Sequence, residues 1–292
     1  MIEKLTRGDR LYVGLCYAVT GLVALLCLYP MLHVLFSSFS DAEQLAAHRG
    51  VMLHPQGFSL KGYELVMKNR NIPIGYANTL INLVLGTLLN MAMTIVGAYA
   101  LSRKGYMFKK TISMLIVFTM YFSGGLVPNF LLVQSLGLYN TRWALLLPGA
   151  VATWNLIVMK TCFQNVPAAL EEAARIDGAS DWVILLRVIL PVSASTLAVI
   201  TLFYAVGHWN SWFNAMIYLQ DRQLYPLQLF LREVLLTNSP TGTIEDPDSD
   251  ILYIEEVIRN ATIIVSTAPI LVAYPFAQRY FISGVMLGSI KE

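Results

Sequence analysis

Six stretches of this chain are long, apolar and almost free of charge, and this pattern constrains the fold more than any other feature. A helix needs about 20 apolar residues to cross a hydrocarbon core that is roughly 30 Å thick. The first five stretches contain no charged residue except Lys160, and the sixth contains only Arg279, near its end. The predicted spans are residues 12–36, 78–101, 111–135, 143–161, 192–219 and 261–281.

The stretches predict helices, since none alternates apolar and polar residues as a membrane β-strand does. Charged residues make up only 13% of the chain, about half the usual fraction of a soluble domain. We therefore predict an all-α polytopic membrane protein with six transmembrane helices and a single transmembrane domain over residues 1–292.

Lysine and arginine indicate the orientation, because they concentrate in cytoplasmic loops. The densest cluster, "SRKGYMFKK" at residues 102–110, follows the second span. With this cluster inside, both termini and residues 163–191 are cytoplasmic, and residues 220–260 are extracytoplasmic. The first span is too long for the apolar region of a typical signal peptide and has no cleavage site, so we expect it to be uncleaved.

The cytoplasmic segment includes "EEAARIDGASDWVILLRVILP", residues 171–191, which is charged and helix-forming. Pro167 can begin a helix and Gly178 can end it in the left-handed conformation, which predicts a helix over 167–177. Ser180 then caps a second helix that carries Asp181 in its first turn and continues into the fifth span.

The predicted helix displays more acid than base, which distinguishes it from a helix that rests on lipid. Lipid-facing helices usually present Lys and Arg to anionic headgroups. An amphipathic helix on the membrane is one alternative, and a helix seated in a basic groove of another protein fits this charge better.

The same residues carry a resemblance to a known family. Glu172-Ala173-Ala174, Gly178 and Leu190-Pro191 fit the pattern E-A-A-x3-G-x9-I-x-L-P, with Val188 in place of Ile. This pattern resembles that of permease subunits of binding-protein-dependent ABC importers. "EAARIDGAS" is typical of their carbohydrate branch, and "NTLIN", "GAYALSRK" and "YAVGHWNSWFNA" are similar to its maltose-type second permeases.

The resemblance implies a type I importer permease whose cytoplasmic helix couples to an ATPase subunit. Glu172 would pair with a basic residue of the ATPase, the alanines would allow close approach, and Gly178 would permit the turn. ATP-driven closure of the ATPase dimer would then switch the spans between inward-facing and outward-facing states. The implied coupling residues are Glu171, Glu172, Ala173, Ala174, Asp177, Gly178 and Ala179.

The resemblance also implies the partners and the cargo. ATP and Mg would bind the ATPase subunits. No cofactor would bind this chain, which contains no G-x-x-x-x-G-K-[ST] motif. The other partners would be a second permease, an extracytoplasmic solute-binding protein and membrane lipid, with no nucleic acid. The resemblance implies a heterodimer with a longer permease, and a homodimer is the alternative. Similarity to the smaller permease subunits of bacterial alginate importers implies a bacterial inner membrane and an oligosaccharide or polysaccharide cargo, with an acidic sugar as the specific candidate.

Two polar patches are candidates for the substrate pathway. In the second span Asn78, Asn82, Gly86, Asn90 and Thr94 recur every four residues and form one slowly drifting row. Such a row serves either helix packing or a wet pathway. The fifth span carries an aromatic and amide patch that is either an interfacial belt or a sugar contact. This patch comprises His208, Trp209, Asn210, Trp212 and Asn214.

The segment between the last two spans, 220–260, is strongly acidic. We expect residues 226–236 to form a helix on the membrane surface and 237–250 to form an irregular loop, either solvated or docking an extracytoplasmic protein. In the loop before the second span, Asn78 or Thr79 is expected to cap that span, and "SGGLVP" at 123–128 to loosen the third.

The sequence argues against two other classes of protein. An ion-coupled secondary transporter normally needs ionisable residues deep in the membrane, where this chain offers only His33 and His208. A membrane enzyme would need paired carboxylates or a nucleophile with its base, and the spans contain neither. The three cysteines form no C-x-x-C pair, so no metal site is predicted.

Overall fold

A computed structural model describes residues 7–103, 105, 107–236 and 251–289, and the side chains of 8–103, 105, 107–236 and 254–275. All regular structure in these ranges is helical. Contacts divide the chain into two compact units. The first comprises Met1–Arg70 and Glu233–Ala268, and the second comprises Asn71–Arg232 and Pro269–Glu292.

The first unit begins with a long helix, α1 (Arg7–Ser38), followed by α2 (Ala42–Ala47) and α3 (Lys61–Lys68). Every side chain from residue 8 to 28 is exposed. An apolar helix exposed in this way is suited to contact with lipid. The beginning of α15 (Ile251–Ser289) also belongs here. Gly62 of α3 lies so close to α15 that a Cβ at this position would be 2.7 Å from Val257 Cγ1.

The second unit is built around α4 (Asn71–Ser102), which packs against α8 (Thr153–Gln164) and α12 (Ala194–Trp209). Shorter helices lie between them along the chain. These are α5 (Lys109–Tyr121), α6 (Leu126–Ser135), α7 (Trp143–Leu146), α9 (Ala168–Ile176) and α10 (Asp181–Ile184). After α10, the chain continues through a π-helical turn, Leu185–Ile189, and α11 (Leu190–Val192).

The last part of this unit contains α13 (Phe213–Tyr218), a 3₁₀ turn at Arg222–Leu224 and most of α14 (Leu227–Leu236). Its main core lies where α4, α8, the π-helical turn and α12 meet. Phe163, Ile184, Leu185 and Ile189 are almost completely buried there. The cytoplasmic segment predicted from the sequence is thus anchored directly in the core of the spans.

Within the described residues, three helices are long and apolar enough to cross a membrane: Gly8–Ser38, Asn71–Ser102 and Ile254–Pro275. Two bent pairs also qualify when each counts as one span. The bend is 116° between Lys109–Tyr121 and Leu126–Ser135, and it is 87° between Asp181–Val192 and Ala194–Trp209. The helical class is confirmed for the described residues, whereas the number of six spans and the cytoplasmic termini stay predictions.

Several predicted boundaries differ from the structure because glycine, proline and polar residues interrupt the apolar stretches. The predicted span 111–135 breaks at residues 122–125, where the glycine pair was expected to loosen it. Residues 143–161 form no continuous helix, since Pro148 and Gly149 separate α7 from α8. The predicted span 192–219 is likewise interrupted between α12 and α13.

The expected cap at Asn78 or Thr79 is wrong. α4 begins seven residues earlier, at Asn71, and both side chains lie inside it. The polar groups of Asn78 and Thr79 bind the chain at 223–227 instead of their own helix end.

The expected structure of 220–260 is also corrected. Residues 227–236 are helical as predicted, but Leu227, Leu229 and Phe230 are buried within the protein rather than lying on a membrane surface. The last helix begins at Ile251, ten residues before the predicted span. The loop predicted at 237–250 lies outside the described residues.

Candidate functional site

The first candidate site is the turn that ends α9. Ala179 N–H donates to Ala174 O at 2.9 Å, and Gly178 N–H donates to Arg175 O at 3.1 Å. These two bonds form a Schellman motif, which needs a left-handed residue at its centre. Gly178 supplies this conformation with φ +78° and has no neighbour that would obstruct a Cβ. Backbone conformation rather than space therefore favours glycine here.

The helix agrees with its prediction to within one residue at each end. Pro167 occupies the position before α9, and Asp177 follows it. Ser180 stands at the cap of α10, but its side chain makes no cap hydrogen bond. Asp181, in the first turn, instead accepts a 2.7 Å hydrogen bond from Arg175.

A network of charges holds α9 against the end of α4. The guanidinium of Arg103 pairs with the Glu171 carboxylate, which also accepts a 3.1 Å bond from Arg175. Arg103 donates to Phe163 O at 2.9 Å as well, and its guanidinium lies over the Tyr99 ring at 4.9 Å. Hydrogen bonding to Glu171 and the nearby Asp181 raise the pKa of Arg175 above its usual value. Within the second unit, this network connects α9 to the ends of α4 and α8.

Glu171 and Glu172 therefore face different surroundings. The Glu171 side chain is 19% exposed and engaged by Arg103. Glu172 is exposed, and no ion pair joins it to another side chain in the described ranges. Glu172 is thus available to a partner, whereas Glu171 serves the fold of this chain.

An apolar surface accompanies Glu172. Ile176 is 87% exposed, and Leu170 and Trp182 are exposed beside it in the sequence. Ala173 is exposed too, while Ala174 and Ala179 pack against the core of the unit. We call the exposed residues Leu170, Glu172, Ala173, Ile176 and Trp182 the coupling surface. The same short segment thus has an exposed face and a buried face, and the buried face packs against the core formed by α4, α8 and α12.

The sequence did not reveal that Arg103 belongs to this site. Its cluster was used only for orientation, and 60 or more residues separate Arg103 from Phe163 and Glu171 in the chain. An arginine at the end of one predicted span and an acidic helix on the same side of the membrane were the available signals.

The second candidate site is the polar row of α4. Asn90 Nδ2 donates to Gly149 O at 2.6 Å and to Ala150 O at 3.0 Å. Asn78 Nδ2 donates to Gln223 O at 2.6 Å and to Tyr225 O at 3.0 Å. All four acceptors lie in non-helical stretches or short turns, where backbone carbonyls lack regular helical partners. The row thus satisfies the backbone where other segments are interrupted.

The remaining members of the row make side-chain contacts. Thr94 and Tyr204 share a 2.7 Å hydrogen bond, and Tyr204 Oη accepts from Ala152 N–H at 3.1 Å. Asn82 lies 3.5 Å from the Arg142 guanidinium, which donates more closely to Asn78 Oδ1 at 2.6 Å. These bonds support the packing alternative, while a role in the substrate pathway stays a prediction.

His208 joins the aromatic patch to this row. Its Nε2 lies 2.6 Å from Asn90 Oδ1. The imidazole occupies the space beside Gly86, where any Cβ would collide with the ring. Gly86 therefore permits the close approach of α12 to α4.

The other members of the aromatic patch differ in their exposure. Trp209 is buried with its ring edge-on to Tyr76, whereas Asn210 and Asn214 are exposed. Trp212 is 36% exposed, and one of its faces is covered by Arg232 at 4.6 Å. A role of these side chains in the substrate pathway stays a prediction.

Comparison with known proteins identifies relatives over nearly the whole chain. Residues 74–217 match the family described as binding-protein-dependent transport system inner membrane component. The chain is 39% identical to the polygalacturonan/rhamnogalacturonan transport system permease protein YtcP of Bacillus subtilis (strain 168), over 97% of this chain and 99% of YtcP. It is 36% identical to protein LplC of the same bacterium, over 98% of this chain and 97% of LplC.

A solved structure has the same fold. One chain of the crystal structure of a bacterial ABC transporter involved in the import of the acidic polysaccharide alginate aligns with a TM-score of 0.88. The two chains are 32% identical, and the alignment covers 95% of this chain and 99% of the other.

Proposed function

Because this chain belongs to the family of binding-protein-dependent transport system inner membrane components, we propose that it is a permease subunit of an ATP-driven sugar importer in the bacterial inner membrane. Membership makes the chain a multi-pass transport subunit rather than an enzyme. In the proposed complex a second permease completes the pathway, an ATPase dimer binds ATP and Mg, and a solute-binding protein delivers the sugar from outside.

One observation carries the coupling part of this proposal: the coupling surface is exposed on one side of a segment whose other side is buried in the core. In our proposal the ATPase contacts Leu170, Ile176 and Glu172. Closure of the ATPase dimer then moves α9, and the Arg103–Glu171 pair with the buried Ile184 and Leu185 conveys this motion to the spans. Alternating access follows when both permeases move together.

The names of the relatives support an acidic polysaccharide as cargo. YtcP is named for polygalacturonan and rhamnogalacturonan, and the structurally similar transporter imports alginate. Polygalacturonan and alginate are both polymers of uronic acids, so their importers share a requirement to move a polyanion. We propose oligosaccharides of uronic acids as the substrate class of the importer that contains this chain.

Substitution of Gly178 tests the coupling role. Gly178→Val places a β-branched residue at φ +78°, a conformation that such residues strongly disfavour. We expect the turn to be lost, and with it ATPase retention during purification or sugar-stimulated ATP hydrolysis. Both are measured on the importer co-expressed with its second permease and ATPase.

The matched control is Gly178→Asn, because asparagine tolerates the left-handed conformation far better. It should preserve ATPase retention and most of the stimulated hydrolysis. Retention of the second permease confirms that the spans are assembled. If Gly178→Val is as active as Gly178→Asn in assembled complexes, the turn does not transmit motion and the proposed coupling role is wrong.

A further inference from the structure

An open apolar groove runs along the second unit between α4, α5 and α8. Its volume is about 680 Å³, within the roughly 300–1,000 Å³ range of ligand pockets. Apart from two threonines its lining is apolar or glycine. Its lining includes Val96 and Ala100 on α4, Ile112 and Leu115 on α5, and Leu156 on α8.

Two lysines stand at one end of this groove. Lys109 lies three residues before Ile112 on α5, and Lys160 lies four residues after Leu156 on α8. Residues three or four apart share a helix face, so both ammonium groups extend the groove on the side where α4 ends. Both lysines are half-buried.

Each lysine forms hydrogen bonds close to this end of the groove. Lys109 Nζ donates to Ser102 O and to Arg103 O, each at 3.1 Å. Lys160 Nζ donates to Ser113 Oγ at 2.8 Å, and Ser113 adjoins Ile112 of the groove. The charges of Lys160 and Arg103 act on Lys109.

The positive charge at this end is only partly compensated within the described part of the chain, where Glu171 and Glu172 line a pocket with Lys109 and Arg103. Arg103 pairs with Glu171, but neither Lys109 nor Lys160 forms an ion pair with a described carboxylate. Two half-buried ammonium groups repel each other, and an anion between them would offset this cost.

We propose that this site binds an anionic phospholipid, with an acyl chain in the apolar groove and the phosphate at Lys109 and Lys160. An exposed apolar groove in a membrane protein, with two lysines at one end that form no ion pair in the described ranges, fits one molecule that carries both an acyl chain and a phosphate. The site adjoins the coupling surface, because Lys109 and Glu172 line one pocket, but it requires neither sugar nor ATPase.

Lipid binding to the full-length chain tests the proposal. The chain, purified in detergent, is titrated with phosphatidylglycerol or phosphatidylcholine, and bound lipid is counted by native mass spectrometry. We expect the wild type to bind phosphatidylglycerol more tightly. The double variant Lys109→Gln/Lys160→Gln should weaken phosphatidylglycerol binding by roughly 25-fold, about fivefold for each surface charge, and leave phosphatidylcholine binding unchanged.

Lys110→Gln is the matched control, because Lys110 is exposed and this substitution removes one positive charge at the position next to Lys109. It should preserve the preference for phosphatidylglycerol. Lys109→Arg/Lys160→Arg should preserve it too, which separates loss of charge from loss of fold. Equal binding of the two lipids by the wild type, or equal loss in Lys110→Gln, would overturn the proposal.

A second variant tests the groove. Ala100→Phe fills it without changing charge, and we expect it to lower binding of both lipids. Unchanged lipid binding in Ala100→Phe would place the acyl chain elsewhere. If the wild type binds no lipid here and Ala100→Phe instead prevents association of the second permease, the groove belongs to a protein interface and the proposal is wrong.

Discussion

At the scale of single residues, two adjacent carboxylates have separate tasks. Glu171 accepts from Arg103 and Arg175 inside the unit, while Glu172 is exposed on the coupling surface. Both would count as one acidic patch in a sequence. Only the position of Arg103, brought close by folding, distinguishes them.

Glu171→Gln should destabilise the chain itself. It leaves the Arg103 guanidinium, 16% exposed, without its carboxylate. Because some solvent remains, we expect a loss of about 2 kcal/mol, below the roughly 3–5 kcal/mol of fully buried pairs. Thermal unfolding in detergent should show a midpoint lower by about 5 °C.

Glu172→Gln is the control for this prediction, since it removes the same charge one position later. It should leave the unfolding midpoint unchanged and weaken retention of the co-expressed ATPase. An equal loss of thermal stability in both variants would contradict the separation of the two roles.

At the scale of helices, α4 acts as a scaffold for interrupted neighbours. Its asparagines bind backbone carbonyls at 149–150 and 223–225, where Pro148 and Gly149 or short turns prevent a regular helix. In a membrane, free carbonyls are costly because no water can replace the missing bond. The spacing of four residues in the row thus reflects the places where other segments break.

Asn90→Leu should therefore lower the free energy of unfolding, although leucine is an apolar residue in an apolar span. The substitution leaves Gly149 O, Ala150 O and His208 without their contacts to this side chain. With about 1–3 kcal/mol for each unsatisfied buried group, and less where relaxation supplies a partner, we expect a loss of about 2 kcal/mol or more in unfolding free energy.

Asn82→Leu on the same face is the matched control. Its contact with Arg142 is long, at 3.5 Å, so the expected loss is below about 1 kcal/mol. Chemical unfolding in mixed micelles compares the two variants. Equal losses would show that the row stabilises the helix through packing rather than through the broken segment.

Close approach of α12 to α4 gives another prediction. Gly86→Ala should displace the His208 imidazole and break its bond to Asn90, since the added Cβ has no space. Gly207→Ala, next to the same histidine, meets no atom within 4 Å and should be neutral or slightly stabilising. A lower unfolding midpoint is expected only for Gly86→Ala, and a drop of similar size in Gly207→Ala would contradict this explanation.

The sequence predicted those elements that depend on local chemistry. Pro167 and Gly178 marked both ends of α9, and the glycine pair marked the break at 122–125. The prediction failed where distant contacts decide the structure. Asn78 resembled a helix cap, but its true partners lie about 145 residues away, and the apolar face of α14 suited a membrane as well as a protein interior. The interruption at 147–152 had a visible signal in Pro148-Gly149, which the surrounding apolar residues concealed.

At the scale of the whole molecule, the segment that carries the coupling surface continues into the buried core formed with α4, α8 and α12. In the aromatic patch, Trp209 is buried and one face of Trp212 is occupied by Arg232, whereas Asn210 and Asn214 are exposed. We expect the specificity of the proposed importer to depend on both permeases and on the solute-binding protein.

The proposed cargo is tested on the assembled importer rather than on this chain alone. We expect oligogalacturonates or alginate oligosaccharides to stimulate ATP hydrolysis in the presence of the solute-binding protein, and neutral malto-oligosaccharides of equal length to have little effect. Methyl esterification of the galacturonates removes the charge with little change in the sugar backbone and should abolish the stimulation. If neutral and acidic sugars stimulate equally, charge does not select the cargo. The substrate class would then be wrong, while the coupling role tested at Gly178 would stand.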